Sequence, residues 1–187
     1  MPFIFNKLED SNLEYPIIIE KKSFTDDRGF FTETFKKSEF ISNGINVDFV
    51  QDNLSCSKKG SVRGMHYQLN PKAQAKLCSV IKGKVLDFAI DIRKSSPTFK
   101  KVFSVELSEN NNKMFYVPVG FAHGFVVLED DTIFNYKCSN EYSKEHEAGI
   151  RYDDPELNLV ITSLGVTPIV SQKDLELPFF KDVKLFE

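Results

Sequence analysis

Apolar residues in this chain recur with a period of two, and the runs are short and broken by turn-forming sequence. That pattern limits the fold more than any other feature. In Val85-Leu86-Asp87-Phe88-Ala89-Ile90-Asp91-Ile92 the residues Leu86, Phe88, Ile90 and Ile92 share one face of an extended strand. Phe103, Val105 and Leu107 repeat the arrangement beyond the turn-like Lys94-Ser95-Ser96-Pro97. Glu109-Asn110-Asn111-Asn112 then separates them from Met114-Phe115-Tyr116-Val117. Further strands are predicted near 15–22, 29–35, 47–54, 62–69, 76–82, 123–129 and 132–138. A short helix fits Lys36 to Asn43, ending before Gly44; one helical turn fits 170–176, and Asp153-Asp154-Pro155 reads as a turn. Many short strands and almost no long helical pattern predict an all-β fold, a sandwich or barrel. No repeat, low-complexity tract or linker divides the chain, so residues 1–187 are read as one domain.

Composition narrows the classes further. A chain of 187 residues, 41% hydrophobic and 27% charged, is not a disordered polymer. At this length roughly 70% of the unfolded surface is buried on folding. Eighteen Phe and six Tyr with no Trp predict an aromatic core or a stacking surface. A formal charge of -3 gives no general attraction to nucleic acid or to an anionic membrane, although a single arginine can still hold a phosphate. Cys56, Cys78 and Cys138 form neither a disulfide framework nor a zinc signature, and Cys78, in an apolar stretch, reads as a buried thiol. No run reaches the 18 apolar residues of a membrane span, and MPFIFNKLED turns acidic before a signal segment could form, so a soluble cytoplasmic protein is expected.

The chain has three histidines, which restricts proton-transfer and metal chemistry to few places. A metal site of the HxH type would need a second imidazole two positions after His66, where Gln68 stands, and His146 lies in a charged segment. No catalytic metal is therefore expected. His66 has Arg63 before it, Tyr67 and Gln68 after it, and Lys76 on the next predicted strand. Strict alternation puts Arg63 and His66 on opposite faces, and their convergence requires an irregularity that Gly64 permits. At this point His66 can be a proton carrier or a packed structural histidine. Gln51 and Asn53 share a strand face and offer amides to a ligand or to nearby loops. Arg28, beside Gly29 in a turn, is either an exposed hairpin residue or a phosphate ligand. No P-loop, dinucleotide fingerprint or GxSxG element is present.

Taken in order, several strings resemble the dTDP-4-dehydrorhamnose 3,5-epimerase family. They are Phe24-Thr25-Asp26-Asp27-Arg28-Gly29-Phe30-Phe31-Thr32-Glu33, Gln51-Asp52-Asn53-Leu54-Ser55, Arg63-Gly64-Met65-His66-Tyr67-Gln68 and Gln74-Ala75-Lys76-Leu77. Asp91-Ile92-Arg93, Ser96-Pro97-Thr98-Phe99, Pro118-Val119-Gly120-Phe121-Ala122-His123-Gly124-Phe125, Asn135-Tyr136-Lys137-Cys138, Asp153-Asp154-Pro155 and Ser171-Gln172-Lys173-Asp174 follow. The series spans roughly residues 15 to 178. The sequence departs from the family pattern at Met65, Ala75, Lys100 and Tyr152, and around Ile161-Thr162-Ser163.

The resemblance implies a cupin-like jelly roll β-sandwich with short peripheral helices, assembled as a homodimer to which the N-terminal strands contribute. It implies cofactor-independent 3,5-epimerisation of dTDP-4-dehydro-6-deoxy-D-glucose to dTDP-4-dehydro-L-rhamnose, on the route to dTDP-rhamnose. The alternatives are a single-position epimerase on a related nucleotide-linked 4-ketosugar and a non-catalytic nucleotide-sugar-binding cupin. By the same resemblance His66 is the base, Asp174 orients it, Tyr136 is the acid and Lys76 faces the developing enolate. Arg28 and Arg63 would meet the diphosphate with Gln51 and Asn53 nearby, Glu33 the nucleotide base, and His123 and Tyr142 would line the pocket.

Overall fold

Strands form where the alternating runs lie, and pair into two sheets stacked face to face. The computed structural model describes residues 2–8, 14–157 and 159–187. In chain order the strands are β1 (Phe3–Lys7), β2 (Ile17–Lys21), β3 (Ser23–Asp26), β4 (Gly29–Thr32), β5 (Gln51–Ser57), β6 (Ser61–Gln68) and β7 (Lys76–Lys82). They continue as β8 (Lys84–Asp91), β9 (Val102–Ser108), β10 (Lys113–Val117), β11 (Phe121–Val127), β12 (Thr132–Cys138), β13 (Glu147–Gly149) and β14 (Ile169–Val170). Helix α1 spans Lys37–Ser42 and α2 spans Gln172–Leu175. The first sheet runs β1-β2-β10-β7-β12-β5; the second runs β13-β6-β11-β8-β9, with β14 also paired to β6. The hairpin β3-β4 pairs with neither. This is the β-sandwich with short peripheral helices that the resemblance implies, one of the two all-β folds that the strand pattern leaves open. Among the described residues no helix is long and apolar enough to cross a membrane.

Three apolar layers follow from the two sheets. Val80, Val85, Phe115, Phe125 and Phe134 fill the space between them. Phe88, Ile90 and Ile92 point outward from the second sheet and are covered by Ile150, Leu157 and Phe180 of the C-terminal segment. Ile17, Ile19, Leu77 and Met114 point outward from the first sheet and are covered by Phe40 of α1 and Ile45. Each fully buried side chain of this kind contributes about 1.5–3 kcal/mol of transfer free energy. The predicted apolar stripe of β8 is thus its outward face, while Asp87 and Asp91, both fully buried, point inward. The predicted strand at 47–54 begins only at Gln51, because Val47 and Phe49 pack beside Phe40 instead of joining the ladder.

The irregularity that the sequence required near Gly64 is a β-bulge. Arg63 pairs with Phe125 and His66 with His123, so Gly64 and Met65 together oppose the single residue Gly124. One extra residue restores the phase, and Arg63 and His66 come to share the inner face. Only glycine fits at both centres of the bulge. Gly64 sits at φ +115°, where a Cβ would lie 2.6 Å from the Gly124 Cα, and a Cβ on Gly124 would lie 2.5 Å from the Met65 sulfur. Gly64→Ala is expected to destabilise the protein by about 2–4 kcal/mol in denaturant titration, because the obstructing atoms are backbone. Gly44→Ala, which has a positive φ but open space around it, should cost only about 1 kcal/mol.

Candidate active site

The ladder of the first sheet sets its inner face in rows. Lys76 lies beside Cys138 and Gln51, Cys78 beside Tyr136 and Asn53, and Val80 beside Phe134 and Ser55. The lower row is apolar but for Ser55, and its Val80 and Phe134 belong to the core, whereas the upper two carry an ammonium, a phenol, two thiols and two amides. Facing them on the second sheet are Arg63 and His66 of β6, His123 of β11 and Glu147 of β13. Between the walls lies a cavity of two lobes, both lined by His66, Lys76 and Tyr136. One lobe adds Gln51, Asn53, Gln68, Tyr142 and Glu147; the other adds Arg63, His123, Lys173 and Asp174.

Asp174 arrives from the far end of the chain. Ser171 caps α2 by accepting a bond from the Asp174 amide at 3.1 Å, which turns the carboxylate toward β6. Its Oδ1 lies 2.6 Å from His66 Nε2, across 108 residues of sequence. Burial alone would raise the Asp174 carboxyl, but the bond and charge of His66 and the bonds from Ser171 and the Gly64 amide hold it below its ordinary value. An ionised Asp174 fixes the imidazole tautomer with the proton on Nε2 and leaves Nδ1 as the basic nitrogen.

Across the cavity the two groups of the first sheet are tuned in opposite senses. Burial pushes the Tyr136 hydroxyl up to about 12, so it holds its proton at neutral pH. Burial lowers Lys76, and the neighbouring Cys138, Cys78, Asp87 and Glu147 oppose that shift. The Lys76 ammonium donates to the His66 carbonyl at 3.3 Å, which ties the two sheets together beside the imidazole.

His123 sits deeper. Its Nε2 is 2.7 Å from Asp87 Oδ1 and 3.4 Å from Cys78 Sγ. The distance to Asp87 is that of an ion pair, although neither Asp87 oxygen makes a well-aligned hydrogen bond. Burial lowers the His123 imidazole and Asp87 opposes this. Cys78, Asp87 and His123 are the described residues whose donor atoms gather closely enough to hold a metal, within 4.8 Å of one another. The buried Lys76 ammonium competes with any cation for the Asp87 charge.

Of the residues singled out in the sequence, His66, Asp174, Tyr136, Lys76, Arg63, Gln51, Asn53, His123 and Tyr142 line the cavity. Arg28 and Glu33 do not. Arg28 sits at the β3-β4 turn with its side chain 90% exposed and paired to Asp26, and Glu33 follows β4. Glu147 and Lys173 line the cavity without having been expected there. Glu147 falls in the same charged segment as His146, and its three-residue strand is too short to show a period. Tyr136→Phe is expected to leave the tyrosinate absorbance of the folded protein unchanged at about pH 10, where an ordinary phenol is half ionised. A drop of one half-ionised tyrosine would mean that Tyr136 is not shifted.

A sequence model of the family described as dTDP-4-dehydrorhamnose 3,5-epimerase matches residues 10–182. A dTDP-4-dehydrorhamnose 3,5-epimerase from Shigella flexneri is 47% identical over 171 residues, covering 91% of this chain and 93% of that protein. The crystal structure of a dTDP-4-dehydrorhamnose 3,5-epimerase from Sulfolobus tokodaii superposes with a TM-score of 0.89 at 44% identity, covering 100% of each chain. A dTDP-6-deoxy-D-glucose-3,5-epimerase from Legionella pneumophila, solved in complex with dTDP-4-keto-L-rhamnose, gives a TM-score of 0.88 at 39% identity, covering 97% of this chain and 95% of that one.

Proposed function

The chain belongs to the dTDP-4-dehydrorhamnose 3,5-epimerase family, and on that premise we propose that His66, Asp174, Tyr136 and Lys76 carry out its reaction. The protein is an isomerase that converts dTDP-4-dehydro-6-deoxy-D-glucose to dTDP-4-dehydro-L-rhamnose. One observation carries the assignment of roles: His66, held by Asp174 of α2, stands on one sheet and Tyr136 on the other, with a common cavity between them.

Inversion at carbon requires a proton to leave one face and return on the opposite face. The sugar's 4-keto group acidifies the hydrogens at C3 and C5, since loss of either gives an enolate. His66 Nδ1 takes that proton, and Asp174 stabilises the imidazolium that forms. Lys76 faces the enolate oxygen as a preorganised cation, an arrangement of the kind that contributes a few kcal/mol to a transition state. Tyr136, protonated because burial holds its hydroxyl at about 12, returns a proton from the other wall. The scheme uses no metal or cofactor. Arg63 is assigned to the diphosphate, with Gln51 and Asn53 beside it. Tyr142 lines the mouth and His123 supports the floor. A cytoplasmic location belongs to the same proposal and fits the three free thiols.

A homodimer gives Arg28 and Glu33 their place. The β3-β4 hairpin exposes Phe24 by 47%, Phe30 by 73% and Phe31 by 66%, and a two-stranded hairpin is marginal unless something covers it. A second copy laid against that face would bury the phenylalanines and bring Arg28 and Glu33 toward the partner's cavity. Replacing Phe30 and Phe31 together by Asp is expected to yield monomers in sedimentation and to raise KM; a dimer of unchanged stability defeats this arrangement.

For the reaction itself, turnover in D2O should place deuterium at both C3 and C5, read by NMR of the product. Label at one carbon alone would reject double epimerisation. His66→Ala should abolish exchange, and Asp174→Asn should lower kcat by about 10²-fold or more by releasing the imidazole tautomer.

A further inference from the structure

Lys173, the residue before Asp174, is held by a carboxylate on the second sheet. Its Nζ donates to both oxygens of Glu147, at 2.6 and 2.7 Å. The Tyr142 hydroxyl donates to Oε2 of the same carboxylate at 2.9 Å, which limits its rotation. Glu147 is itself fixed in the ladder opposite Gln68, two residues along β6 from His66. Its side chain is 20% exposed, against 62% for Lys173. We propose that Glu147 is a positioning residue for the epimerase reaction: by holding Lys173 it sets helix α2, and with it the contact of Asp174 to His66.

The physical case begins with α2. A helix of four residues has no stability of its own and takes its position from tertiary contacts. Other contacts also hold this region. Strand β14, just before the helix, pairs with β6. Ser171 caps the helix from within. Leu177 packs so closely on Gly149 that a Cβ there would lie 2.8 Å from it. Asp174 itself meets His66 and the Gly64 amide, the contacts that must be set. The Glu147–Lys173 ion pair joins α2 to β13 of the sheet carrying His66.

It also occupies a competitor. Lys173 is adjacent to Asp174, and the Asp174 charge acts on its ammonium. Released from Glu147, that ammonium is free to draw the Asp174 carboxylate away from the imidazole. Burial would raise the Glu147 carboxyl, but the bonds from Lys173 and Tyr142 and the charges of Lys173 and His66 keep it low, so the tie is ionic at neutral pH. A pair this exposed adds little to global stability. Its loss is expected in catalytic geometry and not in melting temperature.

The inference rests on His66 acting as the base, so the test includes a readout without turnover. With three histidines in the chain, the His66 imidazole proton bonded to Asp174 can be followed by NMR in the free protein and assigned by its loss in His66→Ala. Lys173→Met and Glu147→Gln should each shift or broaden that resonance and lower kcat about tenfold, with KM and dTDP affinity changed less than about threefold. Lys173→Arg should restore both readouts. The double variant Lys173→Met/Glu147→Gln should be no worse than either single one, because the two changes cut one link. Unchanged kcat and resonance in both single variants would overturn the proposal, as would independent, multiplying losses. So would weakened dTDP binding with kcat intact in Lys173→Met, which makes Lys173 a phosphate ligand. If His66→Ala retains full exchange while the resonance still answers to Lys173, the base assignment fails and the positional link stands.

Discussion

The contact between His66 and Asp174 is the interaction on which the rest of the site depends. It brings together residues 108 positions apart, and each partner is in place for a different reason. His66 faces the cavity because the bulge at Gly64 puts it in phase with Arg63. Asp174 faces it because the C-terminal segment must run over the outer face of the second sheet, where Ile150, Leu157 and Phe180 cover Phe88, Ile90 and Ile92. The same stretch of chain therefore completes a hydrophobic layer and delivers the carboxylate. Core packing and site assembly cannot be separated here. A buried carboxylate without a partner would be costly, and the imidazole supplies that partner.

The sandwich also explains how one cavity can hold a phenol and an imidazole on opposed sides. A sheet presents every second residue to the interior, so two facing sheets offer two independent walls. The wall of β7, β12 and β5 carries Lys76 and Tyr136, and the wall of β6 and β11 carries His66 and His123. Their environments differ accordingly. Tyr136 is desolvated and holds its proton, while His66 is more open to solvent and bonded to Asp174.

Legibility varied with the range of the interaction involved. Strands such as β8 and β9 were plain because alternation is local and both carry apolar residues every second position. The chemical character of His66, Lys76 and Tyr136 was read from ordered strings, and the need for an irregularity at Gly64 followed from the phase of Arg63 and His66. Val47 and Phe49 misled because their alternation satisfies packing against Phe40 without a ladder. Glu147 carries no local signal, because its position depends on pairing with Gln68.

The amino-acid sequence by itself determined which residues face the same way along each strand. Lys76 with Cys78, Gln51 with Asn53, and Tyr136 with Cys138 are all consequences of a period of two. It also determined where that period had to break, since only glycine accommodates the backbone at residue 64. The tertiary structure alone decided which of these faces meet. Strand register aligned the rows, closure of the sandwich opposed Tyr136 to His66, and the wrap of the C-terminal segment brought in Asp174 and Lys173. Those outcomes depend on burying apolar surface over the whole chain, a sum over distant residues that no local spacing records.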